Sequence, residues 1–235
     1  MKKNISILLL SLFSLVCFSQ TEGAYYQLQV KKIDVEQLNA AFGITDADLA
    51  NIEGSPYSNE NFLPGNIYKS DKVVAANKLM RYNAFADEIE TKTNSNDTEY
   101  GALIKDPNVF VKIVNDLYVF IPFEDSVDKG HYFQIISEEK VFDLYKKTDV
   151  TYVPPFFAKT SYETSKPAKF DKEVTYYLVN KNGVFYELPS NKNKLIKVMS
   201  SHDKEIKNFI RMNRTDLDEE KDLIRLVSYY NSLQN

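Results

Sequence analysis

The stretch Leu79-Met80-Arg81-Tyr82-Asn83-Ala84-Phe85-Ala86-Asp87-Glu88-Ile89-Glu90-Thr91-Lys92-Thr93 decides the fold class of this chain. Apolar and polar residues alternate with a period of two on either side of a short break, which is the pattern of two antiparallel strands. A two-residue loop at Ala86-Asp87 pairs Asn83 with Glu90. One face then carries Met80, Tyr82, Ile89 and Thr91, and the other Arg81, Asn83, Glu88, Glu90 and Lys92, with Arg81 diagonal to Glu90 and within reach of it. A dry face backed by a wet one identifies a half-solvated antiparallel sheet, because strands of a parallel βαβ sheet are apolar on both faces.

The same period runs from Asn66 to Glu187, in short runs of Val, Ile, Tyr and Phe between turn residues. Two more hairpins stand out, one turning at Asn182-Gly183 between Tyr176–Lys181 and Val184–Glu187, the other at Asn115-Asp116 between Phe110–Val114 and Leu117–Ile121. Prolines 154, 155 and 167 remove ladder donors, so the chain from Val153 to Lys169 is expected to be a long loop and a place for a lid or partner contact. Upstream, Tyr26, Leu28 and Val30 alternate like a short strand, and Thr45 is placed to cap a helical turn at Asp46-Ala47-Asp48-Leu49. Beyond Leu188 the period becomes helical, with Ser190, Asp203 and Asp218 as candidate caps and a short linker at 213–217 that folds the last two helices back on each other. The expected organisation is a leader at 1–19, a lead-in at 20–64, an antiparallel β body at 65–188 and a helical segment at 189–235 packed on the same domain. The class is α+β, mainly β: a curved antiparallel sheet or open half-barrel with a C-terminal helical hairpin.

The leader is read from Met1-Lys2-Lys3-Asn4, an apolar run from Ile5 to Phe18, and small residues at Cys17 and Ser19 that place a signal-peptide cut before Gln20. The run is too short to span a bilayer. Val16 stands where a lipoprotein signal needs a small residue. Cleavage leaves 27 basic against 33 acidic residues, a net charge of −6, and no cysteine, since the single Cys of the 235-residue chain is Cys17. A thiol-free chain has neither disulfides nor thiolate sites. Its negative charge and scattered lysines argue against nucleic acid, which needs a basic face to displace counterions.

Few constellations carry chemistry. Only His131 and His202 are present, so a three-His zinc site is impossible, and both read as exposed polar residues, His131 in a turn after Asp128-Lys129-Gly130. Gly54-Ser55-Pro56 lacks the strand and helix of a nucleophile elbow, and Gly65–Ser70 lacks the glycine and helix of a phosphate loop. The acids of Asp216–Asp222 suit a helix N-terminus better than a calcium loop, because Lys221 and Val227 occupy the positions that need Gly and Glu. Glu124–Asp128 is a second acidic cluster. The pairs Glu88/Glu90 and Glu138/Glu139 are the candidates for paired-carboxylate hydrolysis. No catalytic, metal or cofactor residues are assigned. The candidate ligand site is an aromatic interior around Tyr118, Phe120, Tyr132 and Phe133, which an open half-barrel would turn toward an apolar ligand.

Gly54–Tyr57, Pro64–Tyr68, Leu79–Asn83 leading to Asp87–Glu90, Lys204–Lys207, Asp222–Arg225 and Tyr229–Asn231, together with the leader ending in Phe18-Ser19-Gln20, make most of the chain resemble a group of uncharacterised exported proteins of Bacteroidetes. The resemblance implies a Gram-negative envelope setting and supplies no activity or site. The expected role is a non-enzymatic binding or structural module in the periplasm or at the cell surface, with an envelope protein or small ligand as partner. Its alternatives are a periplasmic hydrolase or a carrier of an apolar ligand.

Overall fold

A computed structural model describes residues 28–123 and 126–234. The leader, Tyr26 and the acids Glu124 and Asp125 therefore lie outside the described residues. The chain forms one open antiparallel sheet of 11 strands: β1 Val30–Lys32, β2 Leu63–Lys69, β3 Lys72–Asn83, β4 Glu88–Lys92, β5 Gly101–Leu103, β6 Val109–Ile113, β7 Asp116–Phe123, β8 Ser126–Ser137, β9 Phe142–Val153, β10 Lys169–Asn180 and β11 Phe185–Leu188. Spatial order is β1-β5-β4-β3-β2-β6-β7-β8-β9-β10-β11. Among the described residues five α-helices accompany it: α1 Val35–Ala41, α2 Asp46–Leu49, α3 Lys192–Val198, α4 Asp203–Asn213 and α5 Glu220–Ser232.

Local chemistry accounts for the elements. Asp34 caps α1 by accepting from the Gln37 amide, and Thr45 with Asp48 forms a reciprocal capping box on α2. The cap of α3 is Asn191 rather than Ser190; its side chain accepts from the amides of Asn193 and Lys194. His202 and Glu219 occupy the positions before α4 and α5, so Asp203 lies inside the first turn of α4 and Asp218 just ahead of α5. Between Val153 and Lys169 the only pairing is an isolated bridge from Phe156 to Lys166, as the prolines require.

Register departs from the expected pairings at each hairpin. In β3–β4, Asn83 faces Glu88 and Arg81 stands directly opposite Glu90, a slip of two that keeps every side chain on its expected face. The loop is Ala84–Asp87, with Asp87 left-handed at φ 52° and the Asn83 side chain accepting from the amides of Phe85 and Ala86. In β10–β11, Val179 faces Phe185, so three residues turn the chain and Gly183 takes φ 77°. That is the three-residue loop whose last position needs a left-handed residue. In β6–β7 the turn is Val114-Asn115, one residue earlier than read from sequence. Val114 sits at φ 54°, which a β-branched side chain resists.

The sheet is curled. Tyr82 of β3 lies 5.2 Å from the Tyr118 ring of β7 and 6.1 Å from Tyr132 of β8, although β2 and β6 separate these strands in the ladder. One apolar cluster fills this concavity with Ile67, Met80, Tyr82, Ile89, Val111, Tyr118, Phe120 and Tyr132. A second joins Leu144, Leu178 and Leu188 to the helices through Leu195, Met199, Ile206, Leu223, Leu226 and Val227. Ser201 and His202, at the head of α4, meet Tyr230 near the tail of α5, and the side chain of Asn231 pins α5 to the sheet by accepting from Val141 and Phe142 amides. Between the clusters the β8–β9 ladder ends at Gln134↔Lys146, so the far half of β8 stays with β7 while β9 stays with β10. The sheet splits there.

Gly130 of β8 lies under the Phe120 ring: a Cβ at this position would sit 2.2 Å from the Phe120 ring tip and 2.7 Å from the Ile121 carbonyl oxygen. Gly130→Ala is therefore expected to destabilise by about 1–3 kcal/mol through overpacking, read as a lower urea midpoint with unchanged slope. Burial also raises the phenols of Tyr57, Tyr82, Tyr118 and Tyr176 above their ordinary value, and that of Tyr145 to about 12, with Asp143 adding repulsion. The unfolded phenol ionises near pH 10 and the folded one higher, so this stabilisation is complete below about pH 10 and is lost as pH rises beyond it. Urea midpoints should hold up to about pH 10 and fall between about pH 10 and 12; a midpoint constant across that interval would contradict the burial of these rings.

Candidate functional site

The four aromatic residues singled out from the sequence are all buried, with Tyr118, Phe120, Tyr132 and Phe133 at 4, 1, 3 and 1% exposure. They do not form one lining. Phe120 faces Tyr132 across β7–β8, and with Tyr118 these rings fill the concave cluster, Phe120 and Tyr132 standing 5.4 Å apart edge to face. Phe133 is one residue on and points through the opposite face, where it packs against Phe185 at 5.0 Å and Tyr177 at 5.7 Å. The concave rings are packed against one another as core.

The polar face of β3–β4 is where the structure differs most from the half-solvated expectation. Glu90 is 1% and Asn83 3% exposed, so the face read as wet is closed at its centre, with Arg81, Glu88 and Lys92 half-buried around them. Arg81 Nε donates to Glu90 Oε2 at 2.7 Å, Asn83 Nδ2 donates to Glu90 Oε1 at 2.8 Å, and Arg81 Nη1 donates to the Glu60 carbonyl at 2.9 Å. The guanidinium lies over the Tyr57 ring at 3.5 Å and within 4.3 Å of Phe62 and 5.2 Å of Tyr100. Flat stacking removes the cation from water without leaving it unpaired, a geometry available to Arg and not to Lys. Glu88 pairs with Lys31 of β1. Both members of the Glu88/Glu90 pair are thus tied to bases, and Glu90 has no path to a substrate.

At the tip of the same hairpin Asp87 collects three donors. Its Oδ1 accepts from Tyr82 OH at 2.9 Å and from the Tyr132 amide at 3.0 Å, and its Oδ2 from Lys105 Nζ at 3.0 Å. His131 Nδ1 lies 3.3 Å from Oδ2. His131 belongs to β8 rather than to a turn, and its side chain is 39% exposed. The carboxylate enters the split between β8 and β9 and takes the first strand amide beyond the ladder's end. An Asp–His contact invites comparison with a catalytic pair. Here, however, the acid is shared among a phenol, an amide and an ammonium that join three parts of the sheet.

The acids ahead of α5 have a structural role. Asp222 accepts from the Asp216 amide and Asp216 from the Asp218 amide, so these acids order the entry to α5. The Glu139 backbone amide donates to Asp143, while the side chain of Glu138 is exposed and that of Glu139 half-buried. Among the described residues no group of three or more His, Cys, Asp or Glu side chains is placed to hold a metal ion, and no helix is long and apolar enough to cross a membrane.

Of the surface hollows among the described residues, two bear on partner binding. One, ≈ 590 Å³, lies between α2 and the proline loop, lined by Ala47, Asp48, Pro155, Phe157, Lys166 and Pro167. The other lies between α3 and α4 as two adjoining hollows of ≈ 540 and ≈ 360 Å³, sharing Asn193, Ile196 and Lys207. Its walls carry Lys192 and Lys197 on α3 and Lys204, Lys207 and Arg211 on α4. Sequence reading missed this site by treating the lysines as evenly scattered. The legible signal was seven Lys and Arg against two acids between residues 192 and 214 in a chain of net charge −4.

Arg81→Met strands a buried carboxylate and is expected to lower stability by about 3–5 kcal/mol, whereas the double variant Arg81→Met, Glu90→Leu should recover a large part of that loss. Urea unfolding of the four proteins of the cycle gives the answer; additive losses would mean that the pair is not coupled. No family model, curated protein or solved structure matches this chain, so its chemistry is argued from the geometry above.

Proposed function

We propose that this protein is an exported, non-enzymatic binding module of a Gram-negative envelope, working in the periplasm or at the cell surface. Export is supported by the basic start, the apolar run to Phe18 and the small residues at Cys17 and Ser19. One observation carries the non-enzymatic part: the groups best suited to acid–base work, Glu90 and Asp87, are each fully engaged in bonds that hold the sheet together. A preorganised catalytic acid needs an open approach to its substrate, and Glu90 at 1% exposure has none. An apolar carrier needs room inside the curl, whereas Phe120 and Tyr132 fill it at 1 and 3% exposure. What is left to meet a partner is the surface, where the hollows are open and polar groups are free of structural duty.

Expression of the full chain in a Gram-negative host, followed by fractionation and N-terminal sequencing, is expected to give an envelope protein beginning at Gln20. Native mass spectrometry of that material should reveal a retained non-protein adduct. Protein that keeps Met1 and stays in the cytoplasm would overturn export, and a clean apo mass would count against a binding role.

A further inference from the structure

The hollow between α3 and α4 has a definite construction. Asn191 caps α3, the 3₁₀ turn Ser200–His202 reverses the chain, and Leu195, Met199, Ile206 and Ile210 fix the two helices by burying 0, 0, 0 and 5% exposed side chains beneath them. Lys204, Lys207, Asn208 and Arg211 follow at helical spacing on the α4 face away from Ile206 and Ile210. Lys192, Asn193 and Lys197 face them from α3, over a floor that includes buried Ile196. Asp203 is the only acid in the lining, and Lys207 already pairs with it at 3.2 Å. Among the described residues no carboxylate lies within ion-pair distance of Lys192, Lys197 or Lys204, and Arg211 is engaged only by the Asn208 amide, at 2.9 Å.

We propose that this groove is a binding site for a small polyanion carrying two phosphoryl groups; the assignment rests on the binding-module reading above. Five cations and one acid leave about four positive charges in the groove, which two phosphoryl groups of roughly −1.5 to −2 each would match. Like charges held together on a fixed scaffold repel, and an anion that enters relieves several repulsions at once. Arg211 supplies a planar fork for two phosphoryl oxygens, the lysines supply compact point charges, and the Asn193 and Asn208 amides supply neutral donors beside them. The helix walls, ~10 and ~16 Å long, suit a small molecule or a lipid headgroup rather than a wrapped polymer. A flat anionic membrane fits less well, since the cations line a concavity and the only large exposed apolar side chain on these helices is Met212.

Isothermal titration of the protein with pyrophosphate and with orthophosphate at low ionic strength tests the assignment. Pyrophosphate should bind at least about tenfold tighter than orthophosphate, and Lys204→Glu, Arg211→Glu should weaken it at least about tenfold. Both residues are exposed, so thermal unfolding should be unchanged. The control Lys72→Glu, Lys159→Glu makes the same change in net charge away from the groove and should leave affinity within about twofold. Equal affinity for the two anions, retained binding in the groove variant, or equal loss in the control would overturn the site. Neutral vesicles doped with a bisphosphorylated lipid separate the sources: capture that pyrophosphate displaces identifies a headgroup, and no capture alongside pyrophosphate binding identifies a free ligand. Capture by phosphatidylglycerol vesicles that pyrophosphate cannot displace would replace the groove with a general membrane surface. If the envelope-derived adduct persists in the Lys204→Glu, Arg211→Glu protein, the binding module stands and this groove does not; if export fails, the module reading falls whatever pyrophosphate does.

Discussion

The carboxylate of Asp87 is the constraint on which the architecture turns. An 11-stranded antiparallel sheet cannot stay flat, because each strand pair adds right-handed twist, and a long twisted sheet must curl, split or close. This one curls and splits. The β8–β9 ladder gives out at Gln134↔Lys146, which leaves strand amides facing a gap. Asp87 enters that gap and accepts the Tyr132 amide while holding Tyr82 and Lys105. A single acid at a hairpin tip thereby accepts a backbone donor of β8, and ties β3–β4 to β7 and β8. The left-handed conformation of Asp87 follows from that duty. Asp is among the few side chains that accept it, and the bonds it makes hold it there.

The second constraint is the burial of the Arg81–Glu90–Asn83 network. Such a network is stabilising only when complete, and here each carboxylate oxygen, the guanidinium and the amide all find partners. The aromatic rings of Tyr57, Phe62 and Tyr100 act as both packing and counter-surface for the cation. The helical end is built differently. Its cohesion is mainly apolar, through Leu195, Ile206, Leu226 and Val227, with polar links from α5 to the sheet at Asn231 and at Glu220, which accepts from Lys146 and Tyr176. Because apolar burial secures α3 and α4 from below, their upper faces are released from any structural role, and that is where the uncompensated cations gather.

Much of the architecture could be read from the chain. Alternation in Leu79–Thr93 gave the antiparallel class, Pro154, Pro155 and Pro167 marked the long loop, Thr45 marked α2, and the change of period after Leu188 marked the helices. Registers were less legible. Asn182-Gly183 favours a two-residue turn, yet the left-handed position falls on Gly183 alone and the loop closes over three residues. The β3–β4 loop is longer than Ala86-Asp87 because the tip must reach β8, a tertiary demand that no local pattern reports. The burial of Glu90 was hidden for the same reason: its partner Arg81 was in reach on paper, but the rings that seal both come from Tyr57, Phe62 and Tyr100 on other segments. Phe133 was grouped with Tyr132 through sequence proximity, although adjacent residues of a strand face opposite ways. The cationic groove was overlooked because charge was averaged along the chain, whereas a helix reversal brings Lys192 and Lys197 opposite Lys204 and Arg211.

An open sheet also has two borders, and each is a template on which another strand could grow. One border is the three-residue β1, whose Lys31 and Lys32 an added strand would have to desolvate. At the other, β11 covers only Tyr176–Val179 of β10, so the remaining length of β10 stands uncovered beyond Phe170, whose amide is taken by Glu53. That length begins Asp171-Lys172-Glu173, alternating in sign and exposed, with Lys172 donating to the Tyr57 carbonyl. A second copy pairing there in antiparallel register would oppose some of these charges to their own kind, and in parallel register all of them. The uncapped border is thus guarded by its own charge pattern, which lets a broad unclosed sheet remain a finite object rather than the seed of a fibre.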